Sequence, residues 1–254
     1  MIHNLNTREQ AILDILMDGR SSSVADISRE LNVSQVTTRT LLSSLADRGL
    51  IVRTWGGAIP ALAPEILNSS RTREEEKRRI ARAAADLIGD NDTVMIEAGT
   101  TTALVASYML GRRATVVTNS MLVVPYARAN PAMRLTVVGG EFRSSTESMV
   151  GPLALSQLSS FHVKIAIVGT DGFSLDYGLS THLPEGAEIV KAMARQAEHT
   201  VLVADSSKWN SKGFVSVLPL EAVDTIVSDT ELEPLLTDED RESFESKQVT
   251  LVFA

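Results

Sequence analysis

The sequence predicts an α/β protein with a small helical N-terminal domain and a larger domain built on a mainly parallel sheet. Helical patterns and one strand occupy residues 1–57, prolines and polar residues follow at 58–71, and residues 72–254 alternate β-branched runs with helical segments. Such alternation is typical of βαβ units, whose strands pair in parallel. We therefore expect a domain at 1–57, a linker at 58–71 and a domain at 72–254.

Three helices and a strand are predicted in the N-terminal domain. Thr7 and Gln10 resemble a capping box at the start of the first helix, and a second helix spans residues 24–31. After a short turn, Ser34 is the expected N-cap of a third helix, and residues 50–55 are expected to form a strand. Two helices joined by a short turn and followed by a strand predict a winged helix-turn-helix.

Polar residues at the start of the third helix are candidate DNA contacts. Glutamine and arginine can reach base edges, whereas serine and threonine can reach phosphates. The candidates are Ser34, Gln35, Thr37, Thr38, Arg39 and, in the wing, Arg53. Val36 is expected to face the core, and Trp55 is expected to be a packing residue. The alternative is a helical module for oligomerisation or docking, because residues 1–56 carry no net charge.

The charge distribution restricts any nucleic-acid contact to the N-terminal part. The chain carries a net charge of −8, and residues 83–254 alone carry −10. A strongly acidic body repels phosphate polymers.

The absence of cysteine excludes disulfides, thiolate metal sites and a cysteine nucleophile. The apolar runs are far shorter than the ~20 residues of a membrane helix, and residues 1–6 do not resemble a signal peptide. We therefore expect a cytoplasmic protein without a membrane partner.

Seven strands and several helices are predicted in the larger domain. A first helix extends from residue 72 to about residue 88, because ion pairs at i,i+4 and an apolar face coincide there. The expected strands are 93–97, 114–118, 135–139, 163–169, 201–205, 225–228 and 249–253, and the further helices are 102–110, 120–129, 185–198 and 231–236.

Polar clusters follow five of these strands and predict one binding pocket. Ligands of an open parallel sheet bind beyond the carboxyl ends of the strands, and glycine, threonine and free N–H groups suit a phosphate. The candidates are Glu97, Gly99, Thr100, Thr101, Thr102, Asn119, Ser120, Gly139, Gly140, Asp171, Gly172, Asp205 and Lys208, with Lys191 on a neighbouring helix. Each cluster alone is compatible with an ordinary helix cap, but five together predict a site for a phosphorylated, polyhydroxylated molecule.

Several common ligand sites lack support in the sequence. Neither a Walker A motif nor G-x-G-x-x-G is present, so a nucleotide site is not indicated. The histidines are not spaced for a metal, and His182 is the only one considered for the pocket. The phosphate is expected on the turn at 99–102, with Lys208 or Lys191 nearby.

The ordered series of motifs resembles the DeoR family of bacterial transcriptional regulators over nearly the whole chain. The resemblance is carried by Val33-Ser34, Thr37 and Arg39, Arg53-Thr54-Trp55-Gly56-Gly57-Ala58, Ala98-Gly99-Thr100-Thr101, Thr118-Asn119-Ser120, Gly139-Gly140, Gly169-Thr170-Asp171-Gly172, Lys191 and Asp205-Ser206-Ser207-Lys208. It implies a winged helix-turn-helix joined to a sensor domain similar to ribose-5-phosphate isomerase. It further implies a repressor of sugar or polyol catabolism that phosphorylated sugars release from operator DNA, with no catalysis and no cofactor.

Two departures from the family pattern stand at candidate positions. The family's recognition helix typically reads Thr-Ile-Arg-Arg-Asp-Leu, whereas residues 37–42 read Thr-Thr-Arg-Thr-Leu-Leu. An arginine and an aspartate are thus replaced by Thr40 and Leu41. Glu97 stands where the family usually has aspartate.

Two other functions stay open on the sequence alone. A sugar-phosphate isomerase could use Glu97, Asp171 or Asp205 as a base and Lys191 or Lys208 as an electrophile. A purely structural interaction module would leave the strand-end clusters unexplained. For a regulator we expect a homo-oligomer, a dimer or a tetramer, because bacterial operators are commonly paired half-sites.

Overall fold

The computed structural model describes residues 5–19 and 22–254, which form two compact units. The first unit ends at Thr72 and the second begins at Arg73. Residues 1–4, 20 and 21 lie outside the described part of the chain, and so does most of the segment that was compared with a signal peptide.

The first unit combines helices with a two-stranded antiparallel hairpin. Its elements are α1 (Thr7–Met17), α2 (Val24–Glu30), α3 (Gln35–Asp47), β1 (Ile51–Thr54), β2 (Gly57–Pro60) and α4 (Pro64–Arg71). Its core is apolar, and the fully buried side chains include Ile12, Leu13, Ile27, Leu42, Leu45 and Leu50. Helix α3 packs against α1, α2 and β1, as a winged helix-turn-helix requires.

The capping box of α1 lies one residue earlier than expected. Asn6, not Thr7, precedes the helix: its Oδ1 accepts a hydrogen bond from the Glu9 N–H at 2.9 Å, and the Glu9 Oε2 accepts one from the Asn6 N–H at 3.1 Å. Glu9 also accepts a hydrogen bond at 2.7 Å from the Ser44 hydroxyl, which ties α1 to α3. One carboxylate therefore caps the first helix and positions the third.

The segment expected to be a linker is largely regular structure. Residues 57–60 form β2, the second strand of the wing, and residues 64–71 form α4. Arg71 in α4 forms a 2.8 Å ion pair with Asp14 of α1, so this helix is held to the first unit. The prolines led to the linker interpretation, yet Pro64 occupies the first turn of a helix, where its missing N–H costs nothing.

The second unit contains the expected parallel sheet with helices on both faces. The sheet strands are β3 (Thr93–Ile96), β4 (Ala114–Thr118), β5 (Met133–Val137), β8 (Val163–Val168), β11 (Ala197–Val203), β13 (Thr225–Ser228) and β14 (Thr250–Phe253), in the spatial order β14-β13-β11-β8-β3-β4-β5. Its helices are α5 (Glu74–Asp86), α6 (Thr100–Ser107), α7 (Val124–Ala129), α8 (Pro152–Leu158), α9 (Pro184–Arg195) and α10 (Asp238–Ser246). All seven predicted strands are confirmed.

The two faces of the sheet pack into separate apolar clusters. On β3, Val94 and Ile96 join the cluster that includes α5 and α6, whereas Met95 joins the cluster that includes α8, α9 and Phe244 of α10. Alternation along each strand sends neighbouring side chains to opposite faces. Burial on both faces explains why the strands appear in the sequence as continuous apolar runs.

Several elements of the second unit were not expected from the sequence. Two small antiparallel sheets comprise β6 (Glu141–Arg143) with β7 (Ser148–Val150), and β9 (Gly172–Ser174) with β10 (Gly178–Thr181) and β12 (Val215–Ser216). Pro152 opens α8, a helix that is absent from the predicted set. A helix was expected at 231–236, but the structure has a 3₁₀ turn at Glu233–Leu235, followed by α10.

The strand order creates one topological switch point. The chain runs outward from β3 through β4 to β5, then returns to build β8, β11, β13 and β14 on the other side. The carboxyl ends of β3 and β8 therefore border a crevice, which is the usual ligand position in such sheets. Within the described residues, no helix is long and apolar enough to span a membrane.

Candidate functional sites

Helix α3 presents an exposed, capped first turn. The Ser34 hydroxyl accepts a hydrogen bond from the Thr37 N–H at 3.1 Å and lies 2.9 Å from the Thr37 hydroxyl. Gln35 and Arg39 are exposed one turn apart, with 3.5 Å between the Arg39 Nη2 and the Gln35 Oε1. Both side chains are therefore free to turn toward base edges, whereas the Ser34 and Thr37 hydroxyls already contribute to the cap.

Two side chains of α3 face the opposite way from the sequence expectation. Thr38 is fully buried, and its hydroxyl donates to the Ser34 carbonyl at 3.2 Å, so the expected DNA contact of Thr38 is corrected to a packing role. Thr38 shares one helix face with Leu42 and Leu45, at i+4 and i+7. Val36 lies off that face and is 70% exposed, although it was expected in the core. An exposed valine offers methyl groups to a thymine methyl.

The wing is attached to α3 through Arg53. The Arg53 Nε donates to the Gly57 carbonyl at 3.3 Å, and its Nη1 lies 3.4 Å from the Ser43 hydroxyl of α3. Arg53 thus braces the hairpin against the helix, and the residue as a whole remains exposed. Trp55 occupies the hairpin turn and is fully exposed, so the expected packing role is wrong.

At the switch point, three strand-end groups converge. The Glu97 side chain, which follows β3, accepts a hydrogen bond from the Gly169 N–H, which follows β8, at 3.2 Å. Asp171 lies close enough to act electrostatically on Glu97. Gly99 precedes α6, and Thr100 and Thr101 keep accessible surface in its first turn. The structure thus brings Glu97, Gly169 and Asp171 together at this end of the sheet.

The environment of Glu97 favours its protonated form. Removal of the carboxyl group from water raises its pKa, the Gly169 hydrogen bond opposes this, and the negative charge of Asp171 raises it further, to about 8. A carboxyl group with this pKa is mostly neutral at pH 7, so it can donate a hydrogen bond. A neutral Glu97 also removes a negative charge that would repel a phosphate.

Several pocket candidates support the backbone instead of facing the crevice. The buried Thr102 hydroxyl donates to the Glu97 carbonyl at 2.6 Å and to the Gly99 carbonyl at 3.0 Å. Ser120 is fully buried and caps the 3₁₀ turn that follows it, accepting from the Leu122 N–H at 3.2 Å. The ligand contacts expected of Thr102 and Ser120 are corrected accordingly. A strand-end position predicts proximity to the crevice but not the direction of a side chain.

The glycine candidates serve close backbone packing. A Cβ on Gly172 would lie 1.9 Å from the Ser211 carbonyl oxygen. A Cβ on Gly140, whose φ is +155°, would lie 2.5 Å from the Val150 carbonyl oxygen. The Gly139 N–H donates to the Gln157 Oε1 at 2.9 Å and is thereby occupied. Gly140 and Gly172 are therefore needed for close backbone packing, and the N–H of Gly139 is not free to bond an effector.

One side-chain oxygen of Asn119 has no hydrogen-bond partner among the described residues, whereas one carboxylate oxygen of Asp171 accepts two hydrogen bonds. Asn119 is buried, and its Nδ2 donates to the Met149 carbonyl at 3.1 Å, but its Oδ1 has no hydrogen-bond partner among the described residues. The Asp171 Oδ2 accepts from the Thr181 hydroxyl at 2.8 Å and from the His182 N–H at 2.9 Å. His182 therefore contributes its backbone, and its ring is exposed.

Asp205 belongs to an ionic cluster that the sequence did not reveal. Its carboxylate caps the 3₁₀ turn at Ser206–Lys208 and lies 3.4 Å from the Arg73 Nε. The fully buried Asp229, which follows β13, accepts from the Ser206 N–H at 2.8 Å and lies 3.3 Å from the Arg73 Nη2. Asp229 is not among the predicted site residues, although it directly follows a predicted strand, 225–228, as the five predicted clusters follow theirs.

Two lysines lie beside this cluster. Lys77 of α5 is buried, and removal from water lowers its pKa, while nearby Asp205 opposes the shift and Lys208 reinforces it. Lys208 is half-buried, which fits a cation at the rim of a pocket. Lys191 forms a 2.9 Å ion pair with Glu188 on its own helix, α9. Lys208 therefore lies near Asp205 and Lys77, whereas Lys191 pairs with a residue of its own helix.

Metal chemistry has no evident site in residues 5–19 and 22–254. These residues contain no group of three or more histidine or acidic side chains that could hold a metal ion.

The chain is similar to known transcriptional regulators in both units. Residues 8–61 match the DeoR-like helix-turn-helix domain, and residues 72–230 match the DeoR C terminal sensor domain. The HTH-type transcriptional regulator GlpR of Haloferax volcanii is 33% identical over 252 residues, covering 96% of each chain. The HTH-type transcriptional repressor GlcR of Bacillus subtilis is 32% identical, covering 86% of each. Ribose 5-phosphate isomerase A of Methanocaldococcus jannaschii superposes with a TM-score of 0.41 at 18% identity, covering 54% of this chain and 55% of that one.

The capped helix and the wing lie in the first unit, and the switch point of the parallel sheet lies in the second. The chain belongs to the DeoR family of DNA-binding transcriptional regulators.

Proposed function

We propose that this regulator represses a carbohydrate or polyol catabolic operon and leaves its operator when a phosphorylated sugar or sugar alcohol binds. The convergence of Glu97, Gly99 and Asp171 at the switch point carries the proposal. Backbone N–H groups at the start of α6 suit a phosphate, and the two carboxyl groups suit hydroxyls. The partners are double-stranded operator DNA and the effector, in the cytoplasm, without a cofactor.

Operator binding is expected to depend on Arg39. Arg39→Ala should weaken binding to a duplex from the chain's own upstream region by about 1–3 kcal/mol, because an exposed arginine can bond a guanine edge bidentately. Fluorescence anisotropy of a labelled duplex measures this. Arg195→Ala removes an exposed arginine from α9 and serves as the matched control. Equal affinities for wild type and Arg39→Ala would remove Arg39 from the DNA contacts, with Gln35, Ser34, Thr37 and Arg53 left as candidates.

Loss of induction with intact DNA binding is the expected result for pocket variants. Lys208→Ala and Thr100→Val remove a cation and a hydroxyl from the proposed phosphate site, so a sugar phosphate should no longer reduce operator affinity. In the wild type, the sugar phosphate should reduce operator affinity by a factor in the typical range of ~5–150, and in these variants the factor should fall to one. A thermal-shift screen of sugar and polyol phosphates identifies the effector first.

The control for these variants lies at the opposite edge of the sheet. Lys164 pairs with Asp92 at 2.9 Å near the amino end of β8, so Lys164→Ala should respond normally. Lys191→Ala tests the second lysine that the sequence places near the phosphate. A full inducer response in Lys208→Ala, Thr100→Val and Lys191→Ala together would place the phosphate elsewhere.

The relatives argue against the isomerase alternative. Both relatives described above are transcriptional regulators, and residues 8–61 match a helix-turn-helix domain, so the protein is a regulator and not an enzyme. We further propose that it works as a homo-oligomer, a dimer or a tetramer, because two-fold symmetry matches paired operator half-sites. Sedimentation of a monomer both with and without DNA would contradict that assembly.

A further inference from the structure

Trp55 stands out because a large aromatic side chain is left without any packing partner. It lies in the turn between β1 and β2, and its exposure, 103% of the reference value, is the highest among the large apolar residues of the described chain. Aromatic side chains of this size usually bury most of their surface and strongly stabilise the contact they make. Its exposure therefore calls for a partner outside the first unit's core.

The turn that carries Trp55 is held rigidly. The Gly56 carbonyl accepts from the Val24 N–H at 2.8 Å, and the Ala58 N–H donates to the Ser22 carbonyl at 2.9 Å. Gly57 lies so close to this segment that a Cβ on it would be 1.8 Å from the Ser22 oxygen. Because the hairpin is clamped to the start of α2, Trp55 is presented without an entropic cost of ordering the loop on binding.

The hairpin also lies beside the helix that carries the proposed base contacts. Arg53, two residues before Trp55, reaches Ser43 of α3 at 3.4 Å. Residues 51–60 contain one charged side chain, and it is this arginine. An apolar residue flanked by a cation and by no carboxylate is complementary to nucleic acid, because phosphates surround the apolar sugar and base surfaces of a groove.

We propose that Trp55 is a DNA contact that enters the minor groove next to the major groove occupied by α3. Apolar side chains inserted into the minor groove are an established way to bind and bend a duplex. The indole adds one N–H donor, which fits the acceptors that adenine and thymine present there. This inference rests on the proposed operator binding by α3, and it adds a second groove to that contact.

The test compares Trp55→Ala and Trp55→Phe with the full-length wild type on the same upstream duplex. Trp55→Ala should weaken binding about 10-fold, the scale on which truncation of a buried interface tryptophan reduces affinity, and Trp55→Phe should retain most of the affinity. The salt dependence of binding should be the same in Trp55→Ala as in wild type, because an indole releases no counterions, whereas Arg39→Ala or Arg53→Ala should reduce it if the arginine meets a phosphate.

Tryptophan emission gives an independent readout. The second tryptophan, Trp209, packs against Phe173 and Phe244 with ring centroids 5.3 and 5.7 Å away, inside the larger unit. Addition of the duplex should shift the emission to the blue and protect it from iodide, and Trp55→Phe should abolish both changes. Netropsin, which fills A·T minor grooves, should weaken the wild type more than Trp55→Ala.

The outcomes separate this inference from the function on which it rests. If the wild type fails to bind the duplex, the operator-binding proposal fails. If the wild type binds but Trp55→Ala binds equally well, or if netropsin affects both equally, the Trp55 inference alone is overturned. Blue-shifted emission that depends on protein concentration without DNA would overturn it too, since a second copy of the chain would then cover Trp55.

Discussion

Replacing Glu97 with glutamine is expected to remove a loss of stability that the wild type suffers as the pH rises. Removal of the Glu97 carboxyl group from water is the main cause of a raised pKa. The hydrogen bond from Gly169 acts in the opposite direction, the negative charge of Asp171 adds to the increase, and the pKa rises from 4.5 to about 8. Between these two pH values the folded chain holds a proton that the unfolded chain has released. Folding is therefore progressively disfavoured from pH 4.5 up to about pH 8, and the penalty is constant above that.

The expected size of this effect is large for a single side chain. The stability difference between Glu97→Gln and wild type should grow with a slope approaching about 1.4 kcal/mol per pH unit across that interval. Urea unfolding at several pH values measures it, followed by tryptophan emission, to which Trp209, partly buried against the core of the second unit, contributes. Glu198→Gln, at an exposed position of β11, is the control and should leave the pH profile unchanged. Parallel profiles for wild type and Glu97→Gln would contradict the expectation.

Removal of the Asp229 carboxylate is expected to destabilise the second unit by about 3–5 kcal/mol, the usual cost of breaking a buried ion pair. Asp229 is fully buried and accepts from the Ser206 N–H at 2.8 Å and the Glu231 N–H at 3.1 Å, besides pairing with Arg73. Asp229→Ala leaves these donors without their acceptor. Urea unfolding at neutral pH measures the loss.

Two variants test the physical reason for that loss. Asp229→Asn keeps one acceptor oxygen and should be less destabilising than alanine. Glu231→Ala removes a carboxylate that also pairs with Arg73, at 2.8 Å, but whose side chain is 60% exposed, so it should cost no more than about 1 kcal/mol. Similar losses for Asp229→Ala and Glu231→Ala would show that burial does not govern this cluster.

The pKa of Asp229 carries a further consequence at low pH. Burial acts to raise it, but the hydrogen bonds from Ser206 and the charge of Arg73 prevail, so the pKa lies below the usual value of 3.8. The stability that this carboxylate contributes is complete above that value and is lost as the pH falls through its lower, folded-state pKa. The wild type and Asp229→Ala should therefore approach each other in stability under acid conditions.

The departures from the family's recognition helix have a local structural outcome. Thr40 is exposed, and its hydroxyl donates to the Val36 carbonyl at 3.2 Å. Leu41 is half-buried against the apolar core of the first unit. Leu41 thus makes an apolar contact where the family pattern has an aspartate. Thr40 stands where the pattern has an arginine, and its hydroxyl bonds to its own helix.

The sequence by itself determined the order of the seven sheet strands along the chain and the polar residues that follow them. Runs such as 163–169 and 225–228 are apolar because the sheet is covered on both faces, and that burial is visible as local composition. The polar residues after these runs mark strand ends, so Glu97, Gly99 and Asp171 could be assigned to one edge. The capping role of Ser34 was equally local and could be predicted.

Only the tertiary structure decided which way the polar side chains point and which distant residues meet. Thr38 and Thr102 follow the same local rules as Thr37 and Thr100, yet their helix faces pack inward. Arg73 meets Ser206 and Asp229, 133 and 156 positions away, because β11 and β13 are neighbours in the sheet. The partial burial of Glu97 and the exposure of Trp55 are likewise properties of the folded chain. The type of a residue determines which groups its side chain can bind, and the packing around it determines which of those groups lie within reach.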